Sequence, residues 1–88
     1  MVTIHRIVWR DAVGGSNTGW RSLEDLKEQK TATVISCGAL IYEDDEKIVI
    51  CPHMIVEGED IVEGDAELAI PKGWIVSNMK MATFPPGD

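Results

Sequence analysis

Basic residues are scarce in this chain of 88 residues: eight Lys and Arg stand against fifteen Asp and Glu, a formal net charge of −7. A field of that sign repels phosphate backbones, so direct nucleic-acid binding is not expected. Cysteine is nearly absent. Cys37 and Cys51 are too few for a disulfide scaffold, and in a reducing cytoplasm both stay free. Long apolar runs are missing too, and nothing approaches the length of a membrane-spanning helix. The start, Met1-Val2-Thr3-Ile4-His5-Arg6, lacks the basic region, apolar stretch and small-residue cleavage site of a secretory signal. The expected location is the cytoplasm, with no membrane partner.

What is present is ordinary globular material, 44% apolar and 26% charged. The length makes one domain, expected over residues 1–81 with a loose tail over 82–88 that contains Pro85-Pro86-Gly87. A chain this short buries only about two-thirds of its unfolded surface, so a partner subunit would help, and a homo-oligomer is expected. Charge is uneven. Residues 43–67 hold ten acids and one lysine, while the segments on either side each carry a net +1.

The stretch from Thr31 to Glu57 organises the rest. Two β-rich runs, Ala32 to Tyr42 and Lys47 to Val56, flank Glu43-Asp44-Asp45-Glu46, the pattern of a hairpin. Val34 to Tyr42 shows little polar alternation, which predicts a strand covered on both faces. Val2 to Arg10 reads as a first strand. Asp11 to Gly19 is glycine-rich loop, and Ser22-Leu23-Glu24-Asp25 matches a helix N-cap opening a short helix over Leu23 to Gln29. That helix needs a sheet beneath it. Ile55 to Asp60 and Ile61 to Ala66 are near-repeats, read as an exposed acidic turn region before a short strand from Glu67 to Ile70. Pro71-Lys72-Gly73 suits a turn, and Trp74 to Met81 a last strand.

Five or so strands in a short chain favour an all-β fold: a small five-stranded antiparallel barrel with one short helix, because closure removes exposed edges. The ending Leu68-Ala69-Ile70-Pro71-Lys72-Gly73-Trp74-Ile75 resembles the corner before the last strand of Sm-like and Src-homology-3-like barrels. Over most of its length the chain also resembles short acidic bacteriophage and prophage proteins of unknown function. The features shared are Val8-Trp9-Arg10-Asp11, Thr18-Gly19-Trp20, Leu23-Glu24-Asp25-Leu26, a strand like Ser36 to Ile41, an acidic turn, Pro52-His53 and Ile70-Pro71-Lys72. That resemblance implies an accessory protein acting on a host system in bacterial cytoplasm, and it transfers no activity or functional residue.

Cys37, Cys51 and His53 are soft-metal ligand types, but no fourth ligand has the spacing of a zinc site, so no metal is expected. Depending on hairpin loop length, Cys37 faces Cys51 or Pro52. Cys51 and His53 can share a strand face, yet no orienting acid or oxyanion turn accompanies them, and no enzymatic activity or cofactor is expected. The acids from Glu57 to Glu67 lack EF-hand spacing.

The glycine-rich loop with Thr18, Trp20, Arg21 and Ser22 offers amides, a stacking ring and a guanidinium to a small anion, and Lys72 with Trp74 offers similar chemistry from the other end of the chain. The expected function is therefore a non-enzymatic binding protein that sequesters a small anionic, nucleotide-like signal. The alternative is an acidic inhibitor that mimics nucleic-acid charge, with Asp44, Asp45, Glu59, Asp60 and Glu63 occupying a basic groove on a host protein.

Overall fold

The β-branched run at the start of the chain forms the central strand of the fold. In the computed structural model, which describes residues 1–14 and 19–86, β1 (Val2–Asp11) lies between two long antiparallel neighbours, β2 (Ala32–Glu43) and β7 (Ile75–Phe84). β3 (Lys47–Cys51) pairs with β2, and β6 (Leu68–Pro71) pairs with β3, so the sheet runs β6-β3-β2-β1-β7. A separate two-stranded sheet is made by β4 (His53–Glu57) and β5 (Asp60–Asp65). Among the described residues the longest helix is α1 (Leu23–Lys27), and none is long and apolar enough to cross a membrane.

All-β architecture with one short helix is what the sequence predicts. The closed barrel is not what forms. β6 and β7 are the two edges of an open sheet, joined through a 3-10 turn at Lys72–Trp74. β6 offers four residues against the ten of β7, too few to ladder along it. The curled sheet instead brings its inner face together through side chains. Ile7, Trp9, Ile48, Ile50 and Ile70 are buried there, with Val34, Leu40, Leu68 and Ile75 packed around them. Trp9 donates from Nε1 to Ser36 Oγ at 3.1 Å and stacks on Trp74 with ring centroids 6.3 Å apart, which fixes the corner between β6 and β7 against β1.

Several segments differ from their sequence reading. The strand from Val34 to Tyr42 is covered on one face only. Its residues alternate between partly buried and exposed as far as Cys37, and Gly38 and Ala39 alone are fully covered. Apolar content on the outer face misled the reading, since Ile35 sits there 65% exposed. The run from Lys47 to Val56 breaks at Pro52, which ends β3 and lets His53 start a different sheet. The second acidic near-repeat is β5 rather than a turn, because Ile61 and Val62 supply β-branched residues, with Ile61 opposite Val56 and Val62 at the register shift before the Ile55–Glu63 pair. The last strand reaches Phe84, so Ala82, Thr83 and Phe84 belong to the sheet, where they pair with Ile4, Thr3 and Val2.

α1 is shorter than expected, and its leucines are left uncovered. It spans five residues, none buried, with Leu23 64% and Leu26 49% exposed. Residues 12–14 and 19–31, on either side of the Asp11–Ala32 pair where the chain leaves the sheet, are therefore an arm. The chain as a whole is elongated. The radius of gyration is 17.3 Å with extents of 58 × 22 × 21 Å, where a compact chain of this length has about 12 Å.

Candidate functional site

Trp74 sits where three pieces of chain meet. The 3-10 turn carries it off the end of β6, the ladder between Trp9 and Ile75 brings β1 alongside, and the root of the arm lies next to both. Arg10, Asp11, Ala12, Thr31, Gly73 and Trp74, with Ile75 and Val76, line an open depression of about 380 Å³ there. That volume is at the small end of ligand sites. Trp74 is 44% exposed, Trp9 supports it at an interplanar angle of 17°, and Ser36 holds Trp9. The depression thus has a rigid aromatic surface with a guanidinium and a carboxylate at its margin.

The residues singled out in the sequence are dispersed. Thr18 lies outside the described residues. Trp20 is fully exposed at 103%, and Arg21 borders a different depression, with Asp25, Glu28, Gln29 and Lys30. Ser22 is the N-cap of α1, accepting from the Asp25 amide at 3.2 Å, so its hydroxyl is engaged in the fold. Lys72 is also engaged: its Nζ lies 2.8 Å from Glu43 Oε2, and its amide donates to the Glu46 carbonyl. Arg10, rather than Lys72, shares this depression with Trp74, and no local pattern singles it out. The ladder register, in which Trp9 pairs with Ile75, is what puts it there.

The acids of the alternative reading fall into two groups. Asp44 belongs to the β2–β3 turn. Its Oδ1 accepts from the amides of Glu46 at 2.8 Å and Lys47 at 2.9 Å, and these two bonds hold its carboxyl below the ordinary value of 3.8. The phenol of Tyr42 is raised in turn, because Asp44 accepts from it and repels the phenolate. Asp45 is exposed in the same turn. Glu59, Asp60 and Glu63 lie on the β4–β5 hairpin with Glu57 and Asp65, all exposed. Among the described residues none of these five makes an ion pair; the pairs present are Lys27–Glu24 and Lys72–Glu43.

The thiols are separate. Cys37 is exposed on β2 opposite Arg6, whereas Cys51 is buried opposite Ala39. The Cys51 thiol donates to the carbonyls of His53 at 3.0 Å and Asp65 at 3.1 Å, tying both roots of the hairpin to β3. No group of three His, Cys, Asp or Glu suited to a metal occurs among the described residues. Comparison with known proteins adds no relative: no family model, no curated protein and no solved structure matches this chain.

Proposed function

We propose that the chain is a non-enzymatic binding protein that takes a small planar anion, of the nucleotide kind, in the depression at the root of the arm. The observation that carries this reading is the half-exposed Trp74 braced on Trp9 and set beside Arg10. A ring held against motion loses little entropy on stacking, and a guanidinium at its margin supplies the counter-charge. Following the resemblance to short phage proteins, the ligand would be a signal of the bacterial host and the role its sequestration.

Titrating the full-length protein with a panel of mono- and dinucleotides, read by tryptophan fluorescence and calorimetry, tests this. Binding of at least one member is expected, weakened tenfold or more by Arg10→Ala and by Trp74→Ala. A panel without a binder, or affinity untouched by both substitutions, would overturn it.

A second reading rests on the hairpin, whose five exposed acids make no ion pair among the described residues. In it this acidic face occupies a basic groove of a host protein. Capture of such a partner, lost when Glu59, Asp60 and Glu63 become lysine and steeply weakened by salt, is its expected outcome. Retention by the triple-lysine variant would remove it.

A further inference from the structure

β1 runs two residues past its last pair with β7. The β7 ladder stops at Trp9–Ile75, while β1 continues along β2 through Arg10–Thr33 and Asp11–Ala32. The flank of β1 that β7 covers elsewhere is therefore open at Arg10 and Asp11, and the depression beside Trp74 occupies it. Side chains alternate across a strand, so Asp11 shares the inner face with Trp9, two residues back, and Arg10 belongs to the outer face. Their exposure agrees: Asp11 is partly buried and Arg10 is exposed. Trp9 is buried and stacks on Trp74. The carboxylate thus lies on the side of the two indoles, with the guanidinium across the same strand end.

Neither charge serves an ion pair of the fold. Among the described residues the pairs are Lys27–Glu24 and Lys72–Glu43. A carboxylate accepts and never donates, so a ligand edge that meets Asp11 must bring N–H groups to both of its oxygens. One edge among the common nucleobases presents two such groups side by side, the N1–H and N2 amine of guanine. Adenine sets its N6 amine beside the N1 lone pair, cytosine sets N4 beside N3, and uracil flanks N3–H with two carbonyls. Each of these brings an acceptor up to the carboxylate. A mismatch of that kind costs more than a missing contact, because a desolvated oxygen is left without a donor.

We infer that the depression selects guanine from among the nucleobases, and that Asp11 is the residue that selects it. The ring stacks on the exposed part of Trp74, Asp11 accepts from N1–H and the N2 amine, and the phosphate pairs with Arg10 across the strand end. This rests on the nucleotide reading of the same depression and adds the identity of the base to it.

Calorimetric titration of the full-length protein with GMP, IMP, AMP and the cyclic dinucleotides of guanine and adenine tests this. Guanine ligands should bind about tenfold or more tightly than their adenine counterparts. IMP, which keeps N1–H and lacks the amine, should fall between GMP and AMP. Asp11→Asn is nearly isosteric, and its far-UV circular dichroism should match wild type. An amide offers one acceptor and one donor, which suits the N6–N1 edge of adenine, so the variant should lose its preference for GMP and gain affinity for AMP. Arg10→Ala should weaken guanine and adenine ligands alike and leave their ratio unchanged. Binding without preference for guanine, or a preference that survives Asp11→Asn, would overturn the selection of guanine and leave the nucleotide reading standing. Absence of binding by every ligand would overturn both.

Discussion

Gly38 is the position at which one methyl group does the most damage. A Cβ there would sit 2.9 Å from both the carbonyl carbon and oxygen of Cys51, and backbone on the facing strand cannot rotate away as a side chain could. Gly64 is tight in a different sense, since its Cβ would meet the Cys51 sulfur at 2.8 Å and displace a thiol bonded to two carbonyls. Gly38→Ala should therefore destabilise the fold by about 1–3 kcal/mol, read as a lowered urea midpoint at constant slope. The opposite sign is expected at Ala66, which holds φ at 64° in the link between β5 and β6. An L-residue there costs about 1–2 kcal/mol, partly offset by the freer unfolded chain that glycine brings. Ala66→Gly should raise the melting temperature by a few degrees, and an unchanged or lower value would contradict the strain.

At the scale of elements, the β2–β3 turn works through Asp44. Because its folded pKa lies below 3.8, the carboxylate stabilises the turn fully above that value, and the contribution is lost as pH falls through the lowered folded pKa. Asp44→Asn should be less stable than wild type at pH 7 and should match it near pH 2, as parallel denaturation curves would show. The same turn illustrates what could be read in advance. Four acids between β-rich runs have no reading but a loop, and Ser22 three residues before Asp25 is a local capping pattern, so both were legible. The β4–β5 hairpin was not, because Pro52 ends one strand and starts another within a single β-rich run, and only register tells one sheet from two. Nor was Arg10 beside Trp74, a neighbour set by long-range pairing between β1 and β7. Trp20, Arg21, Lys72 and Trp74 share a chemistry, but the fold places them on the arm, in an ion pair and at a corner.

For the whole molecule, the small core and the large exposed surface have one thermodynamic consequence. If stability is held between copies, unfolding releases two chains, and mass action makes the melting temperature depend on concentration. The size of the effect follows from the enthalpy. About 0.7 kcal/mol per residue gives about 120 kcal/mol for a dimer of this length, and hence a rise of about 4 °C per tenfold increase in concentration. Wild-type protein scanned across two decades should show that slope. A core mutation such as Ile70→Ala would lower the midpoint of the dimer while leaving the slope in place, since it weakens the sheet without touching the contact between copies. A flat wild-type profile would mean that one copy holds the fold alone, with the eight apolar residues buried among the described ones as its core.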